Sequence, residues 1–145
     1  MKHKLLILIP ALLLIFQVKA QDTFSIIAVD TVTGEIGGAG ASCIDENAIP
    51  TGVLIINDII PNRGGIHTQA YWNPTNQQNA RNRMLEGLSP EEIIDWLVAN
   101  DVQNNPTIRQ YGVVDFEPFG TGARSAAHTG VNCDDYKDHI TGPNY

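Results

Sequence analysis

Basic side chains are scarce in this 145-residue chain: nine Lys and Arg stand against 16 Asp and Glu, a formal net charge of −7. Lys2, Lys4 and Lys19 all fall at the start, and without residues 1–20 the balance becomes −10. Nucleic acid and anionic membrane surfaces are held by clustered Lys and Arg, so neither is expected as a partner. Past residue 20 no apolar run reaches the about 20 residues that a spanning helix needs. Cysteine is limited to Cys43 and Cys133, neither with metal-ligand spacing. A G-x-S-x-G elbow and a D-x-D-x-D-G calcium loop are absent. Gly37, Gly38 and Gly40 do not fit G-x-G-x-x-G, and no helical pattern follows them. Nothing in these patterns calls for a metal or a cofactor. The sequons at Asn73 and Asn105 are each closed by a following proline, so N-glycosylation is not expected.

The first 20 residues read as a leader. Lys2 and Lys4 supply a positive start, Leu5 to Phe16 an apolar stretch interrupted by Pro10, and Val18 and Ala20 the small residues of a signal-peptidase site. The expectation is a signal peptide over 1–20, a secreted or periplasmic protein, and one domain over 21–145. In an oxidising compartment Cys43 and Cys133 can pair. The disulfide would close a loop of about 90 residues and contribute roughly 4 kcal/mol in the chain-entropy description. Two buried thiols are the competing expectation.

Phe24 to Val29 is apolar on both faces, which predicts a central strand. Thr33-Gly34 marks a turn, and the small residues of Glu35 to Cys43 predict a second, closely packed hairpin strand. Further strands are expected over Val53–Ile60, Ile66–Trp72, Gln110–Phe116 and Arg124–Thr129. Between them lie two helical patterns. Ala80, Met84, Leu85 and Leu88 share a face over 75–88, with Gly87 as the stop. Ser89-Pro90-Glu91-Glu92 is a capping box with proline at the first helical position, followed by a stripe of Ile93, Ile94, Leu97 and Val98.

Thr23 and Ser25 raise the question of a nucleophile. A hydroxyl on residue one of a chain is activated by its own α-amine, whose pKa of about 7.7–8.0 leaves part of it neutral at pH 7. Cleavage after Ala20 exposes Gln21, so Thr23 reaches the terminus only by a second cut at Asp22–Thr23. Otherwise both hydroxyls are ordinary strand residues. A triad of Ser25, His128 and Asp30 or Asp115 has no local support. His67 and His128 fit structural roles, and Asp134, Asp135, Asp138 and His139 fit a solvated acidic face.

The segments TFSIIAVDTVTGEIGGAGAS, GIHTQAYWNP, LEGLSPEEIIDWL, RQYGVVD and AHTGVNCDDYKDHITGPNY, in this order, resemble the family called domain of unknown function 1028 across Thr23–Tyr145. The resemblance implies an α+β fold, an αββα sandwich like that of the N-terminal-nucleophile hydrolases, incomplete here because members continue beyond the G-x-N-Y stretch. It implies an amide-bond hydrolase with Thr23 as candidate nucleophile. It also implies that Thr68, Gln69, Asn73, Arg109, Asp115, His128 and Thr129 line or shape a cleft, with Gly130 and Cys133 in the last matching segment. Relatives with a peptidoglycan-binding domain point to cell-wall glycopeptide or a small amide as partner. The alternative is a non-catalytic extracellular binding or structural module on the same fold. This chain departs from the family where Gln21-Asp22 precede the threonine, and Gln21 can cyclise and remove the free amine.

Overall fold

A computed structural model describes residues 23–145; the expected leader and the Asp22–Thr23 bond lie outside the described residues. Its strands are β1 (Phe24–Val29), β2 (Ile36–Ala41), β3 (Asn57–Ile60), β4 (Gly64–Gln69), β5 (Gln110–Phe116) and β6 (Ala123–Thr129). Its α-helices are α1 (Pro74–Glu86) and α2 (Pro90–Ala99). Among the described residues β1 and β2 form one antiparallel sheet, and β3-β4-β5-β6, in that order, form a second, all antiparallel. The chain is therefore α+β, with the helices on one face of the four-stranded sheet and the two-stranded sheet on the other.

The alternation of side chains builds these layers. Ile66, Tyr111 and Val113 face the helices and form a core with Ala80, Met84, Ile93, Ile94 and Leu97. Their neighbours of opposite parity face β1, where Ile27, Val29 and Val114 form a smaller core between the sheets. That second contact requires glycine. A Cβ on Gly65 would lie 2.6 Å from Ile27 Cδ1, and one on Gly38 would lie 2.7 Å from His67 Nε2.

The Gly87 stop of α1 and the capping box of α2 are where the sequence predicts them, while the cap that starts α1 is an addition of the structure. Asn73 caps α1 by accepting from the backbone N–H groups of Thr75 and Asn76, and Gly87 closes it at φ 99°. Ser89 and Glu92 form the reciprocal capping box of α2. The tail of each Arg63 contact also belongs here: its guanidinium donates to Met84 O at 3.2 Å and Leu88 O at 3.3 Å, at the end of α1.

Four expectations are corrected. β1 is not central: β2 is its one strand partner among the described residues, and Phe24 and Ile26 are 63% and 53% exposed. Its apolar residues face opposite ways, and just one face has a sheet packed against it. The run Val53–Ile60 is not a single strand. Gly52–Ile56 is a 3₁₀ turn, entered through Gly52 at φ 52°, and only Asn57–Ile60 extends. Leu85 is exposed and Asn76 takes the buried position one turn before Ala80, because α1 packs a polar first turn against the sheet end. The Cys43–Cys133 disulfide is not formed: Cys43 is exposed, and Cys133 is buried with its thiol donating to Arg109 O at 3.4 Å.

Candidate functional site

The strand expected over Ile66–Trp72 stops at Gln69, because Ala70 and Tyr71 adopt φ 54° and 51°. Two consecutive non-glycine residues in the left-handed region are costly and need surrounding support. They swing the chain away from the sheet edge into the Asn73 cap, and they open a cavity of about 580 Å³. Thr23 and Ser42 from the β1–β2 end lie on one side. Tyr71, Trp72 and Asn73 form a second wall, Arg109, Gln110 and Cys133 a third, and Ile44, Ile49, Ile55 and Ile108 provide apolar surface. Asp134, Asp135, Tyr136 and Lys137 stand at the rim.

Thr23 heads β1, with its hydroxyl 2.8 Å from that of Ser42. Its carbonyl accepts from Gln69 Nε2 at 3.1 Å. Gln69 thereby ties the residue that precedes β1 to the end of β4. The same carboxamide donates to Gln110 Oε1 at 2.7 Å and accepts from the Ser25 hydroxyl at 2.7 Å. Gln110 in turn donates to Thr129 Oγ1 at 3.1 Å and Asp138 O at 2.8 Å. The line of carboxamides continues the sheet across its side chains, as cross-strand pairs do.

Beneath the Tyr71 turn lies a buried ionic network. Arg109 is 2% exposed and its Nε donates to Asp101 Oδ2 at 2.8 Å. The guanidinium also donates to Gln103 Oε1 at 2.6 Å and to the Tyr71 carbonyl. Asp101 accepts in addition from Asn76 Nδ2 and from the backbone N–H groups of Gln103 and Asn105. Burial works to raise the Asp101 pKa, but the bonds from Arg109, Asn105, Gln103 and Asn76 outweigh it and hold it at about 2. Burial, then the Asp101 charge, raise the Tyr111 phenol above its ordinary range; its oxygen accepts from Asn76 at 3.0 Å. Each member of this network is occupied by another, so it serves as a rigid base rather than a reacting group. It fixes the strained turn from below.

The expected site residues divide accordingly. Thr23, Gln69, Asn73 and Arg109 meet at the large cavity, as do both cysteines, now as free thiols. Thr129 is joined to it only through Gln110. Thr68 is buried on the helix-facing side of β4, with Oγ1 lacking a partner. Asp115 is at the opposite end of β5, where Arg124 grips it at 2.9 and 2.6 Å and Arg63 approaches to 3.4 Å. That ion cluster ties β4–β6 to the helices. His128 lies beside Tyr111, ring centroids 6.1 Å apart, and contacts Pro106 O at 3.1 Å. Ser42, Tyr71, Trp72, Asp101 and Gln110 belong to the site and are not evident from the sequence patterns. Gln110 was the most accessible signal, since it directly follows Arg109 in RQYGVVD. Among the described residues no group of three or more His, Cys, Asp or Glu could hold a metal, and no helix is long and apolar enough to cross a membrane.

The model of a family of unknown function, DUF1028, matches residues 23–145. The crystal structure of protein SPO2555 from Silicibacter pomeroyi, described with the same family, is similar to this chain at a TM-score of 0.67 and 25% sequence identity. The similarity covers 84% of this chain and 51% of that one, so the chain spans about half the length of the structure it matches. No curated protein matches.

Proposed function

Because the chain belongs to DUF1028, a family of unknown function, its activity must be read from its own site, and we propose an amide-bond hydrolase of the N-terminal-nucleophile type. The observation that carries this reading is the position of Thr23: immediately before β1, on the wall of the large cavity, with its hydroxyl at 2.8 Å from a second hydroxyl. The helix, sheet and sheet layers support an αββα sandwich. Once the Asp22–Thr23 bond is cut, the α-amine of Thr23 accepts the proton of Oγ1 as that oxygen attacks the amide carbonyl. The amine then returns the proton to the departing nitrogen. Water, deprotonated by the same amine, cleaves the resulting ester and restores the threonine. Ser42 positions the hydroxyl, and Gln69 fixes the strand through the Thr23 carbonyl. The leader pattern supports export, and the apolar and aromatic walls beside an acidic rim suit a cell-wall glycopeptide or a small amide.

N-terminal sequencing of the exported protein tests the mechanism. A chain beginning at Thr23 is expected, and one beginning at Gln21 or pyroglutamate overturns it. In protein that does begin at residue 23, Thr23→Ala is expected to lower amide hydrolysis by several orders of magnitude, while Thr23→Ser retains measurable turnover. The rate should rise with pH as the α-amine loses its proton, near pH 7.7–8.0 for an ordinary terminus.

A second reading, a non-catalytic extracellular binding module, is favoured by Gln21-Asp22 ahead of the threonine. It predicts that Thr23→Ala keeps full ligand binding and that the native protein hydrolyses no amide in the same panel of glycopeptides and small amides.

A further inference from the structure

Isoleucine is among the residues most often buried in a core. Four isoleucines here belong to neither core: Ile44, Ile49, Ile55 and Ile108 are half-buried, and all four line the large cavity. They come from three separate segments. Ile44 and Ile49 lie in the loop after β2, Ile55 in the 3₁₀ turn before β3, and Ile108 in a second 3₁₀ turn, Pro106–Ile108, ahead of β5. Single apolar side chains scattered on a surface need no explanation, but four that converge on one cavity make an aliphatic wall.

Hydrogen bonds behind the wall hold it in place. The Ile49 N–H donates to Asp45 O at 2.9 Å, and the Ile49 carbonyl accepts from Gly52 N at 2.7 Å. The Ile55 carbonyl accepts from Gln77 Nε2 at 3.0 Å, and Gln77 Oε1 accepts from the Trp72 indole N–H at 3.1 Å. Gln77, on α1, thereby couples the isoleucine wall to the aromatic one. Isoleucine is stiff at its first side-chain torsion, so an aliphatic ligand meets a surface that is already ordered. The wall adjoins the hydroxyl pair: the Ser42 hydroxyl, 2.8 Å from that of Thr23, accepts from Ile44 N at 3.4 Å. Of the polar lining, Gln69, Arg109, Gln110 and Lys137 are engaged with protein partners, and Asp134 and Asp135 stand exposed at the rim. A volume of about 580 Å³ is within the range of pockets that enclose small organic ligands.

We propose that the large cavity takes an amide with an aliphatic chain, the chain lying on Ile44, Ile49, Ile55 and Ile108. The amide group rests on the hydrolase reading above, whose substrate is thereby narrowed to a small aliphatic amide. The wall that binds the chain does not depend on Thr23 being a nucleophile.

The test is an NMR titration of the full chain, ¹³C-labelled at the isoleucine δ1 methyls, with butanamide, pentanamide and hexanamide. The methyls of Ile44, Ile49, Ile55 and Ile108 are expected to shift saturably, while those of Ile93 in the helix-side core and Ile26 on the outer face stay in place. Each added methylene is expected to lower the half-saturating concentration about threefold to fourfold, the effect of burying one such group. Ile49→Ser is expected to weaken hexanamide binding several-fold. Leu54→Ser, at a neighbouring residue that is exposed and does not line the cavity, is expected to leave it unchanged. A half-saturating concentration that does not fall with chain length, equal losses in the two variants, or no saturable shift of the four methyls would overturn the proposal. Ammonia release, measured in the same samples, separates the two readings. Chain-dependent binding without ammonia overturns the hydrolase and keeps the aliphatic wall, whereas ammonia from all three amides with no chain dependence of binding does the reverse.

Discussion

Asp101 and His67 are both almost fully buried, at 4% and 3% exposure, and they respond to acid in separate windows. Asp101 has a folded-state pKa lowered to about 2 from an ordinary 3.8, so its contribution is complete above about pH 4. As pH falls through the folded value that contribution is lost, on the order of 2 kcal/mol. His67 has a folded-state pKa lowered to about 4 from 6.5, so the unfolded chain takes up a proton first. Stability above pH 6.5 is unaffected by this group, declines between about 6.5 and 4, and levels off below, a loss of about 3 kcal/mol. Urea unfolding across pH 2–8 should show the two steps. His67→Phe should flatten the upper one and leave the lower. Asp101→Ala should cost about 3–5 kcal/mol at pH 7, because it strands the buried Arg109 guanidinium. Arg109 was legible as a site residue from its place in RQYGVVD. Its partner was not, because Asp101 is ordinary in sequence and becomes distinctive only when folding aims three elements at it.

Among the elements, the helices were read most completely, since caps and stops are local chemistry. Ser89 accepts from Glu92 N at 3.3 Å and Glu92 returns a bond to Ser89 N at 2.8 Å, within four residues of chain. Ser89→Ala should destabilise the protein by about 1 kcal/mol in chemical denaturation, with unchanged overall spectra. Strand ends were read less well. The β4 boundary depends on Ala70 and Tyr71 entering left-handed backbone, which no propensity predicts for these residue types. Arg109, just before β5 and 38 positions away, holds the Tyr71 carbonyl in this turn. The expected disulfide failed for a related reason: compartment and count permit a bond, but only the fold decides whether two sulfurs meet.

At the scale of the whole molecule, the two faces of β1 make a direct comparison. Ile27 is 6% exposed in the core between the sheets, and Ile26 is 53% exposed on the outer face. Ile27→Ala should cost about 2–5 kcal/mol, the usual range for a buried aliphatic truncation, and Ile26→Ala should stay within about 0.5 kcal/mol. Near-equal losses in urea unfolding would mean that the outer face is also covered in the protein as it exists. The layer arrangement places Thr23, Ser25, Ile27 and Val29 toward the four-stranded sheet, so that Thr23 lines the large cavity and the Ser25 hydroxyl, though exposed, reaches Gln69.

The sequence by itself determined the α+β class, the hairpin at the start, both helices with the stop of the first and the capping box of the second, and the family. These follow from periodicity, capping chemistry and ordered motifs, all of which act over short stretches. It also singled out Thr23, Gln69, Asn73 and Arg109. Only the tertiary structure decided that these four share one cavity while Asp115 belongs to an ion cluster at the other end of the sheet. Only the structure, too, joined Gln69 to Gln110. Such matters depend on strand register and on which hydrogen bonds are already taken, and both are fixed by contacts between residues far apart in the chain.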